Sequence, residues 1–275
     1  MGKDLLGADY YSVESSRAYW SISQYKRFRE CEARAMAELA EEWSEDRDST
    51  PLLVGNYVHS YFESQEAHEV FKSENGSTMI AKTGATKGQL KKDFKIAEIM
   101  IQALQSDKQF SEYYVGEKEV AVTGVINGTD FKGKIDCLNI DSGYFVDIKT
   151  TKSQIDDLVW SDEYRTKMRW FEAYGYVLQM AAYKELLYQQ YGKEFTPIIY
   201  VVTKEDVPDT RAIVFQSDEK LKYELTELST MISKLDAVKK GLIHPSQYNG
   251  QGNGSSTPCI PDPSCRQDSA GTFGR

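Results

Sequence analysis

A run of about 18 apolar residues, the length that crosses a bilayer, is absent from this 275-residue sequence, so no transmembrane helix and no membrane partner is expected. The first ten residues, Met1 to Tyr10, lack an apolar stretch followed by a small-residue cleavage site. No signal peptide is expected, and the default compartment is the cytoplasm. Cysteine is scarce. Cys31, Cys137, Cys259 and Cys265 are too few and too scattered for a disulfide framework, and reduced thiols are the expectation. Positive charge is in deficit, with 33 Lys and Arg against 42 Asp and Glu and a formal net charge of −9. That argues against a protein coated in basic residues that grips nucleic acid by charge alone. It leaves room for a local basic groove assisted by a divalent cation. A Gly-x-x-x-x-Gly-Lys-[Ser/Thr] loop is also missing, so the chain carries no nucleotide-driven motor of this type.

What is present is a foldable core. The hydrophobic fraction is 40%, with 18 tyrosines and 11 phenylalanines, enough for one large domain or two modest ones. Helical spacing predicts helices from about Ser23 to Trp43, Leu53 to Glu69 and Lys87 to Leu104, with a loop over Gly76 to Thr86. The acidic run between Glu30 and Asp48 reads as a solvated helix face and its trailing loop. The texture then changes to a meander. Tyr113 to Thr123, Phe131 to Asn139 and Tyr144 to Thr150 read as strands, joined by Asn127-Gly128 and by Asp141-Ser-Gly143. A helix over Trp170 to Tyr191, strands at Pro197 to Thr203 and Arg211 to Phe215, and a helix over Glu219 to Gly241 complete the pattern. This order implies a single α/β domain over 1–247 with a mixed sheet flanked by helices. Its helical part spans about 20–110 and its sheet-bearing core about 111–240. The Gly-, Ser- and Pro-rich stretch 248–275 reads as a mobile tail.

The chemistry concentrates in Gly133-Lys-Ile-Asp136 and Asp147-Ile-Lys149. Alternate strand residues share a face, so Asp147 and Lys149 point the same way, with Asp136 on the neighbouring strand. Burying two carboxylates and an amine among Ile135, Leu138, Val146 and Ile148 would be costly unless a cation joined them. Carboxylates are hard oxygen ligands suited to Mg²⁺ or Mn²⁺. The lysine could orient or deprotonate a water and stabilise phosphate charge. Taken alone, Asp-x-Lys on a strand is also an ordinary surface salt bridge.

The neighbouring motifs make the pattern specific. Gly133-Lys-Ile-Asp136 followed by Asp147-Ile-Lys149 resembles the core motif of the PD-(D/E)XK nucleases, closest to their RecB-like branch. Upstream, Gly55-Asn-Tyr-Val-His59 is similar to that branch's Gly-x-x-x-His motif. Downstream, Gln179-Met-Ala-Ala-Tyr183 is similar to its Gln-x-x-x-Tyr motif. The set lies in the family's order across roughly residues 20 to 190.

The resemblance implies a restriction-endonuclease-like fold and a metal-dependent nuclease. Its metal ligands would be His59, Asp136, Asp147 and the backbone carbonyl of Ile148. Lys149 would act on water, and Gln179 and Tyr183 would position the strand or the lysine. Glu63, one helical turn after His59, and Glu119 are further candidates. Lys87, Lys91, Lys92 and Lys95, the site-flanking Lys132, Lys134 and Lys152, and Arg165, Lys167 and Arg169 are candidate phosphate contacts. Some RecB-like nucleases hold an iron–sulfur cluster on four cysteines. Here only Cys31, Cys259 and Cys265 match, with Cys137 committed to a strand, so no cluster is expected.

Without motor or cluster, the chain resembles phage-type recombination exonucleases of the exodeoxyribonuclease VIII kind. It would then degrade duplex DNA from an end in a bacterial or phage-infected cytoplasm, as a homo-oligomer alongside a single-strand annealing protein. An endonuclease, a single-strand-specific nuclease and a catalytically silent DNA-binding subunit stand as alternatives.

Overall fold

The structure, a computed structural model, describes residues 4–44, 49–162 and 164–246. The chain divides into two compact units. One holds 1–45, 125–132 and 226–275, the other 46–124 and 133–225.

In the first unit, α1 (Val13–Ala18), α2 (Ile22–Glu30) and α3 (Glu32–Leu39) gather around Trp20. The spacing that predicts one helix from Ser23 to Trp43 yields two here. Cys31 takes extended backbone, ends α2, and caps α3 by accepting the Arg34 amide on Sγ at 3.4 Å. Cys31 is also disulfide-bonded, which corrects the expectation of a reduced thiol at that position, whereas Cys137 is free and buried. A count of cysteines cannot show which of them meet in space. Cys259 and Cys265 lie outside the described residues, as does the tail over 248–275. Trp20 pairs by backbone with Asp130 and Lys132, and its indole N–H donates to Asp236 at 2.9 Å.

In the second unit, α4 (Thr50–Glu63), α5 (Gln65–Met79), α6 (Lys92–Ser106) and α7 (Lys108–Tyr113) precede the sheet. Ser64 is extended and its hydroxyl accepts the Ala67 amide at 3.0 Å. It therefore ends α4 and starts α5, where one helix to Glu69 and a loop from Gly76 are expected. The expected helix start at Lys87 moves to Lys92, because Gly84 and Gly88 adopt positive φ and turn the chain first.

The sheet follows as β1 (Glu117–Ile126), β2 (Thr129–Asn139) and β3 (Tyr144–Thr151). Asn127 and Gly128, with φ of 47° and 75°, make the hairpin turn. A separate hairpin, β4 (Leu158–Ser161) with β5 (Thr166–Arg169), was not legible in the sequence. Next come α8 (Trp170–Ala173) and α9 (Tyr176–Tyr191), one expected helix broken at left-handed Gly175. β6 (Thr196–Thr203), β7 (Thr210–Val214) and α10 (Asp218–Lys239) end the described chain.

The main sheet has order β1-β2-β3-β6-β7, with β3 and β6 parallel and the β2–β3 and β6–β7 pairs antiparallel. This is the mixed sheet flanked by helices that the sequence predicts. Of the parallel pair, β6 reads as a nearly continuous apolar run because it is buried on both faces. Val146, Ile148, Ile198, Tyr200 and Val202 pack with Val58, Phe94, Met100 and Leu104 of the helices. Among the described residues no helix is long and apolar enough to cross a membrane.

Candidate active site

All the motif residues fall in the second unit. The β2–β3 ladder pairs Asn139 with Tyr144, Leu138 with Phe145 and Cys137 with Val146. At the next step the Ile148 N–H is taken by the Asp136 carboxylate at 2.7 Å, so a side chain fills a bonding position on the strand. The ring Nδ1 of His59, on α4, reaches the same carboxylate oxygen at 3.1 Å. One turn before it, Gly55 lies beside Thr150 of β3.

Helix α9 crosses β3 in matched steps. Tyr183 packs on Phe145 with ring centres 6.4 Å apart, Gln179 donates to Asp147 at 3.0 Å, and the Lys149 ammonium lies 4.8 Å from the centre of the Tyr176 ring. Two strand residues advance about 6.7 Å, and three to four helix residues about 5 Å. The two repeats therefore stay nearly in step over these three pairs. Gln179 also donates to the Tyr183 hydroxyl at 3.1 Å. Tyr183 fits because position 133 is glycine. A Cβ there would stand 2.6 Å from the tyrosine ring.

Asp147 is 2% exposed, and its Oδ2 forms an ion pair with Lys149. That oxygen is closed to solvent and receives no well-directed hydrogen bond. An incompletely satisfied buried carboxylate oxygen is costly in an ordinary core. Burial pushes the Asp147 carboxyl above its ordinary range, further raised by Asp136 and opposed by Lys149. Burial alone would lower the Lys149 ammonium, but Asp147, Asp136 and the Tyr176 ring raise it. Asp136 goes the other way. Burial would raise it, and His59, Lys149 and the Ile148 amide together hold it below the usual carboxylate value. His59 is raised, because Asp136 outweighs the burial that would lower it.

Glu119 enters from β1. Its φ of 53° is left-handed in a non-glycine residue, a strained backbone of the kind found where a strand re-aims a side chain. Its carboxylate pairs with Lys134 at 3.2 Å. Burial, then the charges of Asp136 and Glu63, push it up to about 7 against the pull of Lys134.

Ligand atoms of His59, Glu119 and Asp136 all lie within 4.8 Å of one another. This mixed nitrogen and oxygen set suits a hard or borderline divalent cation. Asp147 is outside that trio, turned toward Lys149 and Gln179. Glu63 acts on Glu119 through its charge. Tyr176 had no motif to mark it, and the helical spacing back from Gln179 is the signal that could have found it. Lys134, expected as a site-flanking phosphate contact, pairs with Glu119.

Of the expected phosphate contacts, Lys132 lies in the first unit, buried, where its ammonium donates to the Ser15 hydroxyl at 2.7 Å and to the Tyr10 carbonyl. That role is not available to it in this conformation. Arg169 is ion-paired with Asp156 at 3.1 Å.

The sequence matches a family model described as a PDDEXK-like domain of unknown function (DUF3799) over residues 21–253. No curated protein matches it. Among solved structures, a candidate exonuclease from Eubacterium rectale is 32% identical, with 100% of this chain and 97% of that one covered and a TM-score of 0.81. SSO0001 is 16% identical over 72% of this chain and 82% of its own, with a TM-score of 0.30, too low to bear on the argument. The chain belongs to the PDDEXK-like family, within the PD-(D/E)XK nuclease superfamily.

Proposed function

We propose that this nuclease is a divalent-metal-dependent DNA exonuclease. The observation that carries the reading is the convergence of His59, Glu119 and Asp136 beside the buried Asp147–Lys149 pair. His59, Asp136 and Glu119 would hold Mg²⁺ or Mn²⁺, with Asp147 and the Ile148 carbonyl as further donors on the same strand. When bound, such a cation supplies Lewis acidity at the scissile phosphodiester. Lys149, held as an ammonium by Asp147 and Asp136, would orient the attacking water, and its charge would oppose that gathering on the phosphate. Asp147 and the Tyr176 ring fix the ammonium. Gln179 holds Asp147, and Tyr183 holds Gln179. Glu63 tunes Glu119.

The choice of exonuclease rests on the motif resemblance and on the name borne by the Eubacterium rectale protein. On the same resemblance we infer processing of duplex ends in phage-type recombination, in a bacterial or phage-infected cytoplasm, with an annealing protein and a homo-oligomeric state.

The test uses linear and covalently closed duplex DNA, each with Mg²⁺ or EDTA, beside Asp147→Ala. The expected outcome is metal-dependent loss of linear DNA alone, slowed about 100-fold or more in the variant. Cutting of the closed circle would replace exonuclease with endonuclease. Binding without cutting would indicate a silent DNA-binding subunit.

A further inference from the structure

The β4–β5 hairpin has no part in the chemistry above. Its two strands pair Leu158 with Arg169 and Trp160 with Lys167. Directly opposed residues of an antiparallel pair share one face, so these four side chains stand together. That face is open: Leu158 is 58% and Trp160 57% exposed, whereas Ser161 on the other face is buried. A tryptophan so exposed is uncommon in a surface without a partner. Its ring is also held in place, because the indole N–H donates to Asp162 at 2.9 Å.

The hairpin is firmly rooted. The Trp170 indole N–H donates to the Ile155 carbonyl at 3.1 Å, closing its base. Asp156 clasps both Arg169, at 3.1 Å, and Arg211 of β7, at 2.8 Å. The root also adjoins the catalytic lysine. Trp170 packs on Tyr176 at 5.9 Å, and Tyr176 lies under Lys149. The face therefore belongs to a hairpin whose base is joined to Lys149 through Trp170 and Tyr176.

Its chemistry points to one occupant. Neither strand carries an acidic residue, and β5 carries Lys167 and Arg169. Asp156 neutralises Arg169, but Lys167 has no ion-pair partner among the described residues. An aromatic plane beside an unpaired cation, with an aliphatic side chain next to it, matches an unstacked base and its phosphate.

We propose that this hairpin face binds a single strand of nucleic acid next to the active site, with a base stacked on Trp160 and a phosphate on Lys167. The proposal rests on the nuclease reading for the identity of its ligand.

The test measures binding of a single-stranded oligothymidylate of about 12 residues to the full chain in EDTA, by tryptophan fluorescence and anisotropy, with a blunt duplex in parallel. The expected result is quenching in the wild-type chain and, by anisotropy, binding weakened about tenfold in Trp160→Ala but kept near the wild-type affinity in Trp160→Phe, whose ring still stacks. Lys167→Ala should lower the slope of log affinity against log salt by about 0.7. Unchanged single-strand affinity in Trp160→Ala, binding of the duplex alone, or no binding by the wild-type chain would each overturn the proposal. Cleavage of DNA by the wild-type chain with Mg²⁺ is scored separately. Cutting without Trp160-dependent binding removes the hairpin proposal and keeps the nuclease. Trp160-dependent binding without cutting does the reverse.

Discussion

At the scale of single residues, the site spends stability on chemistry. Asp136, Glu119 and Asp147 stand close enough to raise or constrain one another's protonation, and Lys149, Lys134 and His59 supply the charges that offset them. Glu119 gives the clearest consequence. In metal-free protein its carboxyl holds a proton up to about 7, against an ordinary value of 4.5. Folding then takes up a proton between those values, so this group's contribution is intact below the lower one and falls as pH rises through the interval. Chemical denaturation in EDTA should show lower stability at about pH 8 than at about pH 5 from this source, and Glu119→Gln should flatten that part of the profile. Cation affinity should move the opposite way, rising with pH over the same interval as the proton is displaced. A flat profile in the wild-type protein would mean that Glu119 is not held as the geometry indicates.

At the scale of elements, the register of α9 on β3 does what no single residue can. It delivers Tyr183, Gln179 and Tyr176 to Phe145, Asp147 and Lys149 in one alignment. Gly133 on β2 is the point where that alignment is most exposed to change. A methyl at 133 would meet the Tyr183 ring at 2.6 Å. Gly133→Ala should therefore displace the ring, break the bond from Gln179, cost about 1–3 kcal/mol and lower cleavage. Thermal melts together with initial rates check this. An alanine variant that keeps both wild-type stability and rate would show that α9 yields without disturbing the site. The Gly-Lys-Ile-Asp and Gln-x-x-x-Tyr motifs are thus two sides of one packing contact, which explains why they travel together in this chain.

At the scale of the whole molecule, β1, β2 and α10 each start in one compact unit and end in the other. Neither unit is a continuous stretch of chain, so neither can be cut out without breaking those elements. We propose on this ground that residues 1–247 unfold as a single domain. Near-ultraviolet and far-ultraviolet circular dichroism should give coincident thermal transitions. Two separated transitions would make the units independent domains. The net charge of −9 belongs to this scale as well. It leaves nucleic-acid affinity to local groups and a bound cation rather than to the field of the whole protein.

The sequence by itself determined the fold class, the hairpin at Asn127-Gly128, the strands carrying Asp136 and Asp147, and the helices carrying His59 and Gln179. Each depends on short-range periodicity or on residues a few positions apart. It left undecided the breaks at Cys31, Ser64 and Gly175, since an extended or left-handed residue inside a helical pattern hardly alters that pattern. The pairing of Cys31 was equally out of reach. So was the β4–β5 hairpin, whose four-residue strands are too short to show alternation. Above all, only the tertiary structure decided which carboxylates face one another. Glu119 joins His59 and Asp136 while Asp147 turns to Lys149, because those distances depend on a strained strand and on the packing of α4 and α9 against the sheet.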